Sequence, residues 1–342
     1  MKEIRTEDAV GHVLCHDITQ IIKDKKKGVL FKKGHIVREE DIPALLSVGK
    51  EHLYVWEKQE GILHENEAAE ILYTISADEH MHGSDIKEGK IELIADCDGL
   101  LKIRRDALLA VNRLGEMMIA SRHGDFPVKK GDKIAGTRII PLVIEKSKMD
   151  RAVEAAGSEP IFSILPYHTK KVGIVTTGSE VQKGLIKDTF TPVLTEKLSE
   201  FSCQVIGQTM PGDERTQITS DILKFIDDGA DMVICSGGMS VDPDDRTPGA
   251  IKDTGTEIIT YGAPVLPGAM LLLSYYKKND KIIPILGLPG CVMYAKRTVF
   301  DLILPRIMAD DPILAEEIAS YGEGGLCLNC TICTFPNCGF GK

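Results

Sequence analysis

The sequence lacks several features that would assign it to a common class of protein. No apolar stretch approaches the length of a membrane span, and the first residues lack the apolar core of a signal peptide. Aromatic residues make up only 5% of the chain, which disfavours a stacking platform for single-stranded nucleic acid. The formal net charge is −10, which disfavours nucleic acid and anionic membranes as main partners. We therefore expect a cytoplasmic protein.

The chain is long enough for more than one domain. Its 342 residues suit two or three domains, and its 43% hydrophobic and 27% charged content is typical of a globular protein. In a reducing compartment, clustered cysteines are metal ligands more often than they are disulfides. Five of the nine cysteines are scattered, and we interpret them as small buried residues: Cys15, Cys97, Cys203, Cys235 and Cys291.

The other four cysteines lie close together near the C-terminal end, with the spacing C-x-x-C-x-x-C-x-x-x-x-C: Cys327, Cys330, Cys333 and Cys338. This spacing is typical of a metal site. Four thiolates can hold a zinc ion or an iron–sulfur cluster, and the first three resemble a ferredoxin run. Ferredoxins have three residues before the last cysteine instead of four. Zinc and iron–sulfur both stay open, iron–sulfur being favoured, and a disordered tail is the alternative.

Two patterns divide the remaining sequence. Residues 1–145 are β-rich, because short apolar runs alternate with Lys-Gly and Gly-Asp turn signals. Residues 146–170 are predicted to be a connector. Over residues 171–309, buried strand patterns alternate with amphipathic helices, the last expected from Cys291 to Met308. The predicted fold class is therefore α/β, a three-layer, mostly parallel sheet, preceded by a β-rich α+β region and followed by a cysteine-rich tail at 310–342.

Four polar, glycine-bearing loops follow predicted strands of the α/β region: residues 176–180, 211–215, 236–248 and 287–290. Open parallel sheets bind ligands at the carboxyl ends of their strands. Glycines let backbone amides approach a phosphate closely, and helix N-termini favour an anion. The loops therefore predict an anion-binding edge.

Carboxylates in the second and third loops predict a site for a hard cation such as Mg²⁺, which bridges carboxylate and phosphate oxygens. These carboxylates belong to Asp213, Asp242, Asp244 and Asp245. For Asp213 an alternative is open, namely that it is the N-cap of the helix that begins near Glu214.

The four loops also resemble the motifs of the molybdopterin-binding domain of molybdopterin molybdenumtransferases and adenylyltransferases. The matching segments are Thr-Gly-Ser-Glu at 177–180, Pro-Gly-Asp-Glu-Arg at 211–215, Ser-Gly-Gly-Met-Ser-Val at 236–241 followed by Asp245, and Gly-Leu-Pro-Gly at 287–290. The resemblance covers about residues 171–308. The β-rich region resembles, less specifically, the domains that precede this one in the transferase.

The resemblance implies that molybdopterin, free or adenylylated, binds at Thr177, Gly178, Ser179, Glu180, Ser236, Gly237, Gly238, Ser240, Pro289 and Gly290. It implies that Asp213 and Asp245 are catalytic, exchanging nucleotide for molybdate with release of AMP. Mg²⁺ would be held by Asp242, Asp244 and Asp245. A homodimer and a molybdoenzyme or cofactor-pathway partner are further expectations from the resemblance.

Three positions depart from the transferase pattern. Pro243 interrupts the usual Gly-Asp-x-Asp, Ala269 replaces an expected lysine, and Cys291 follows Gly-Leu-Pro-Gly in place of Asn-Pro. Pterin binding tolerates such changes better than catalysis does. Two hypotheses therefore stay open: a molybdenum-insertion enzyme, and a non-catalytic molybdopterin carrier or sensor coupled to the cysteine site. A generic nucleotide-binding α/β protein is a third, which the acidic third loop disfavours.

Overall fold

The computed structural model describes residues 2–22, 26–55, 60–240, 242 and 245–342. Its strands are β1 Lys2–Arg5, β2 Ile18–Ile22, β3 Lys26–Phe31, β4 His52–Val55, β5 Ile62–His64, β6 Met81–Gly83, β7 Lys90–Ala95, β8 Gly99–Ile103, β9 Met117–Ser121, β10 Phe126–Val128, β11 Lys133–Ile139, β12 Val143–Glu145, β13 Phe162–Pro166, β14 Lys171–Thr176, β15 Gln204–Thr209, β16 Met232–Ser236, β17 Glu257–Tyr261, β18 Leu272–Lys278 and β19 Lys281–Leu288.

The helices are α1 Ile42–Ser47, α2 Glu65–Thr74, α3 Arg105–Asn112, α4 Lys146–Ala156, α5 Ser179–Gln182, α6 Phe190–Ser199, α7 Arg215–Asp227, α8 Thr247–Asp253, α9 Val299–Met308 and α10 Ala315–Ser320. Short 3₁₀ helices occur at Thr6–Asp8, Glu39–Asp41 and Gly290–Met293. Within the described part of the chain, no helix combines the length and the apolar character that a membrane crossing requires.

The chain divides into two compact units. Unit 1 comprises Met1–Asp96, Ile103–Arg122 and Lys130–Ile164, and unit 2 comprises Cys97–Lys102, His123–Lys129 and Leu165–Lys342. Two short segments that precede Leu165 in the sequence therefore belong to unit 2. The cysteine-rich tail belongs to unit 2, and the predicted connector contains α4 and β13.

Unit 1 is built from antiparallel strand pairs and short helices. Its largest sheet has the strand order β6-β7-β11-β9, and smaller pairs are β1-β4, β2-β3 and β5-β12. Helix α2 begins with a reciprocal cap at His64. The His64 Nδ1 atom accepts from the Asn66 amide at 3.1 Å, and the Glu67 carboxylate accepts from the His64 amide at 2.9 Å. This cap satisfies backbone amides that the first helical turn leaves free.

Unit 2 contains a six-stranded sheet with the order β15-β14-β16-β19-β18-β17. The first four strands are parallel, and β18 and β17 add an antiparallel edge. Every residue of β16 is buried, which is typical of a parallel strand covered on both faces. The predicted mostly parallel α/β sheet is confirmed.

Helices cover both faces of this sheet. Alternate residues of a strand point to opposite faces, and on β16 Met232 and Ile234 join one core cluster while Val233 and Cys235 join another. The first cluster includes side chains of α6 and α9, and the second includes side chains of α7 and α8. The result is the three-layer arrangement expected from the sequence.

The expected helix from Cys291 to Met308 is wrong in its first half. Residues Gly290–Met293 form a 3₁₀ turn, and α9 begins only at Val299. The side chain of Thr298 accepts from the Phe300 amide at 3.2 Å, and Asp301 accepts from the Thr298 amide at 2.8 Å. The Thr-x-x-Asp spacing is a helix-start signal that the hydrophobic pattern alone does not reveal.

Candidate functional site

Three of the predicted loops leave the sheet side by side. In the strand register, Thr176 pairs with Ser236, and Ser236 pairs with Leu288. The backbone amide of Thr177 donates to the Ser236 carbonyl at 2.8 Å, so the first loop stays close to the third. The first, third and fourth loops therefore begin at one edge of the sheet, where open α/β folds bind ligands.

The second loop joins the first through Asp213. Its Oδ2 atom accepts from the Ser179 amide at 2.8 Å and from the Ser179 hydroxyl at 2.5 Å. Such short bonds to an ionised acceptor are among the stronger hydrogen bonds in proteins. Asp213 therefore fixes the start of α5 beside the second loop.

The alternative interpretation of Asp213 as a helix cap is wrong. Helix α7 is capped by Glu214, whose side chain accepts from the Thr216 amide at 3.4 Å and from the Thr216 hydroxyl at 2.8 Å. Asp213 lies one residue earlier and is engaged with Ser179 instead. Its carboxylate is consequently part of the loop cluster and does not terminate a helix.

Two buried threonines tie the third loop to the first. The Oγ1 atoms of Thr177 and Thr247 lie 3.0 Å apart, and the Thr247 hydroxyl donates to the Gly237 carbonyl at 2.9 Å. Both threonines are almost fully buried. Thr247 is a site residue that the sequence reasoning did not select, although its Thr-Pro step at the start of α8 was visible.

The backbone at Gly237 and Gly238 needs glycine. Both residues have positive φ angles, +88° and +56°. A Cβ atom on Gly237 would lie 2.5 Å from the Thr177 carbonyl oxygen, and one on Gly238 would lie 2.7 Å from the Thr247 hydroxyl oxygen. Any larger residue would therefore strain the loop and push the two threonines apart.

The acidic part of the third loop is described at Asp242 and Asp245, and the predicted metal ligand Asp244 lies outside the described residues. The Asp245 amide donates to the Asp242 carbonyl at 2.9 Å. Burial raises the pKa of Tyr261, and the negative charge of Asp245 raises it further. The Tyr261 hydroxyl donates to the Met239 carbonyl at 3.1 Å.

A complete metal site is not assembled by the described side chains alone. Among them, no group of three His, Cys, Asp or Glu residues is placed to hold one metal ion. This finding applies to the predicted Mg²⁺ ligands Asp242 and Asp245 and to the four tail cysteines. The predicted Mg²⁺, zinc and iron–sulfur sites are therefore hypotheses that this geometry does not show.

Comparison with known families assigns the α/β region. Residues 173–309 match the family described as a probable molybdopterin binding domain. Residues 173–309 are a molybdopterin-binding domain. Residues 3–57 match a second family, described as a domain of unknown function (DUF8806).

The match to curated relatives covers only part of each relative's length. A molybdopterin molybdenumtransferase of Synechococcus elongatus is 25% identical over 182 residues, which are 51% of this chain and 42% of the relative. A CinA-like protein of Mycolicibacterium gilvum is 35% identical over 77 residues, 22% of this chain and 18% of the relative. The chain thus spans less than half the length of these curated relatives.

Solved structures similar to the molybdopterin-binding domain include the tungsten cofactor synthesizing protein MoaB from Pyrococcus furiosus. It is 20% identical, with a TM-score of 0.32, covering 36% of this chain and 84% of that one. The protein CinA from Thermoplasma acidophilum is 18% identical, with a TM-score of 0.32, covering 41% and 98%. TM-scores this low carry no argument about the fold, which follows instead from the strand order of the six-stranded sheet.

Residues 173–309 contain three buried hydroxyls without a hydrogen-bond partner in the described structure, Ser236 Oγ, Thr209 Oγ1 and Thr256 Oγ1. Ser236 and Thr209 are the last residues of β16 and β15, at the edge of the sheet where the loops begin. A buried polar atom left unpaired costs about 1–3 kcal/mol. Such atoms are expected where a ligand or water supplies the missing partner. Ser236 is one of the predicted cofactor-binding residues.

A polar network that the sequence did not predict supports the same edge. The Gln208 amide nitrogen donates to Asp188 at 2.7 Å, to Thr191 at 2.6 Å and to Thr176 at 3.0 Å. Burial raises the pKa of Asp188, but hydrogen bonds from Thr191 and Gln208 outweigh it and lower the pKa overall. Asp188 is therefore ionised at neutral pH, and the network fixes the ends of β14 and β15.

The remaining predicted residues differ in exposure. Glu180, Ser240 and Gly290 are exposed at the ends of their loops, whereas Pro289 is buried after β19. The four loops are thus brought to one edge, with a buried base of hydroxyls and an exposed rim.

Proposed function

We propose that this protein binds molybdopterin at the edge formed by the loops at 176–180, 211–215, 236–248 and 287–290, and that it acts in molybdenum cofactor biosynthesis. The family match of residues 173–309 carries the proposal, because it covers the segment in which these loops converge. The unpaired Ser236 hydroxyl supports it, since it can donate a hydrogen bond to a phosphate or pterin oxygen. The backbone amides of glycine-rich loops suit a phosphate.

The finer part of the proposal is insertion of molybdate into adenylylated molybdopterin. Molybdate would replace the nucleotide at the dithiolene, and AMP would leave. Asp213 is held by Ser179 at the centre of the loops, and Asp245 lies on the acidic third loop. A homodimer and a recipient molybdoenzyme belong to the same proposal and rest on the resemblance to the transferase.

Mg²⁺ fits this edge only if a bound substrate supplies some of the oxygen atoms that coordinate the ion. The described carboxylates do not by themselves form a three-residue site. Mg²⁺ commonly binds through one or two carboxylates together with substrate phosphates and water. Asp242 and Asp245 would hold the ion in that way, and Mg²⁺ would supply positive charge to the leaving phosphate.

The test of the enzymatic proposal is turnover of adenylylated molybdopterin with molybdate and Mg²⁺. We expect AMP release by the full chain, and a fall of at least about 100-fold with Asp245→Asn, because a carboxylate in direct contact with a reacting charge contributes on this scale. Asp221→Asn, a half-buried change on α7 outside the four loops, is the matched control and should release AMP normally. Equal rates in the two variants would remove Asp245 from the mechanism.

The second candidate function is a non-catalytic carrier or sensor. It is favoured by Ala269, which stands where the transferase pattern has lysine, and by the cysteine-rich tail in the same compact unit as the loops. Tight molybdopterin binding without AMP release would support the carrier. No binding of either pterin form would contradict both functions.

A further inference from the structure

The four tail cysteines line a single pocket, which the proposed pterin site does not use. The pocket has a volume of about 270 Å³ and is formed by residues of unit 2. All four cysteines of the motif line it: Cys327, Cys330, Cys333 and Cys338. The remaining wall is largely apolar and includes Phe335 and Phe340. A motif with metal-ligand spacing therefore folds around one cavity.

The pocket is built without any ligand. Phe340 is only 4% exposed and belongs to the main core of unit 2. The Cys327 amide donates to the Leu266 carbonyl at 2.8 Å, and the Gly341 amide donates to the Gly324 carbonyl at 2.9 Å. The motif is thus joined by backbone hydrogen bonds at both ends. Ligands held on such a frame need little ordering when a cofactor binds.

The size of the pocket bears on which cofactor fits. A zinc ion draws its four thiolates to about 2.3 Å from one point. Among the described side chains no group of three is placed to hold a single metal ion, and all four cysteines line the same cavity. An iron–sulfur cluster binds its cysteines through different iron atoms, so it occupies more space than one ion does. A cavity of about 270 Å³ has room for such a cluster.

We propose that Cys327, Cys330, Cys333 and Cys338 bind one [4Fe–4S] cluster in this pocket. Each cysteine binds iron as a thiolate, so four thiol protons pass to solvent when the cluster is loaded. The proposal does not depend on the pterin function.

Two cations at the pocket wall support a negatively charged cofactor. Lys296 donates to the Cys330 carbonyl at 3.3 Å and to the Thr331 carbonyl at 2.8 Å. The Arg297 guanidinium lies 5.0 Å from the centre of the Phe335 ring, and the Cys333 side chain is among its hydrogen-bond partners. Charges enclosed by apolar walls need such partners. Hydrogen bonds to cluster sulfurs also raise the reduction potential, which assigns Arg297 a positioning and tuning role.

The deciding experiment is metal analysis of the full chain, expressed with iron and purified without oxygen. We expect about four iron and about four inorganic sulfide atoms per chain, with broad visible absorption that bleaches on reduction. Zinc bound in place of iron, or a chain free of both metals after anaerobic reconstitution with iron and sulfide, would overturn the proposal.

Matched variants separate the pocket from the other cysteines. Cys330→Ala and Cys333→Ala alter exposed residues and should lose most of the iron and sulfide. Cys203→Ala is the control, because burial raises the pKa of Cys203 to about 11 and this thiol lies outside the pocket. Iron that survives in both pocket variants, or that is lost in the control, would contradict the assignment.

Arg297→Gln provides a second readout that does not require removal of a ligand. The variant should keep its iron and show a lower reduction potential in a redox titration, because the reduced cluster loses a nearby positive charge. Circular dichroism and molybdopterin binding of the same variant report whether unit 2 is folded and whether the pterin function persists. An unchanged potential in a folded, iron-loaded variant would remove Arg297 from the cluster environment.

Discussion

At the scale of single residues, the sequence predicted polar loop residues better than it predicted the residues that support them. The Gly-Gly step at 237–238 and Ser236 were selected because their types suit a phosphate. Thr247, Gln208 and Asp188 were not selected. Their importance comes from contacts between loops far apart in sequence, such as the 3.0 Å approach of Thr177 and Thr247. A single sequence does not contain those contacts.

Gly238→Ala tests how closely the third loop is fitted. The residue has a φ angle of +56°, and the added Cβ would lie 2.7 Å from the Thr247 hydroxyl oxygen. We expect a loss of about 1–3 kcal/mol in the free energy of unfolding, the usual cost of strain at such a position. Molybdopterin binding should weaken as well, because the two buried threonines must move. Urea denaturation and a binding titration measure the two effects.

The control for this change is Gly136→Ala on β11, where the added Cβ meets nothing within 4 Å and φ is not positive. It should stay within about 0.5 kcal/mol of the parent protein, as surface changes usually do. If Gly238→Ala is equally mild and binds the pterin normally, the loop is not constrained in the way that the structure indicates.

At the scale of secondary-structure elements, periodicity was sufficient for buried strands and insufficient for helix ends. The parallel strands β14 and β16 are continuous apolar runs, and both were predicted. The region between Gly290 and Thr298 has apolar residues that extend the helical pattern, yet the chain forms a 3₁₀ turn there. The helix begins where Thr298 and Asp301 can cap it, because caps satisfy amides that periodicity does not consider.

Thr298→Ala tests this helix start. Thr298 is fully buried, and its hydroxyl caps α9 by accepting from the Phe300 amide. The substitution should lower the free energy of unfolding by about 1 kcal/mol, with 2 kcal/mol as the upper range for a cap. Thr298→Ser keeps the hydroxyl and should recover most of the loss. If serine is no better than alanine in urea denaturation, the methyl packing of Thr298 matters and its cap does not.

At the scale of the whole molecule, the division into units depends on contacts that the sequence pattern does not encode. Residues 97–102 and 123–129 read as ordinary strand and turn segments of the β-rich region. They nevertheless belong to unit 2, where Phe126 joins the core cluster with Phe300 and Phe340. The change of sequence pattern near residue 170 predicts where the parallel sheet begins. It does not predict that residues 97–102 and 123–129 also belong to unit 2.

The stability of unit 1 should depend on pH. In unit 1, burial lowers the pKa of His16, and neighbouring Lys50 lowers it further. Burial likewise lowers the pKa of His64, with a smaller opposing effect from its hydrogen bond to the Cys15 carbonyl. In the folded state both imidazoles therefore take up a proton only at a lower pH than in the unfolded chain, where they do so near pH 6.5.

The sign of the effect follows from proton uptake. Below about pH 6.5 the unfolded chain binds more protons at these histidines than the folded chain does, so the stability of unit 1 falls as the pH drops below that value. Urea denaturation of the full chain at several pH values between about 8 and 5 measures this slope. His64→Gln and His16→Gln should each flatten it, since neither side chain can gain a proton. His52→Gln, an exposed change on β4, should leave the slope as it is. A slope that persists in the double variant His16→Gln and His64→Gln would show that other groups, and not these two buried imidazoles, limit the stability of the molecule in acid.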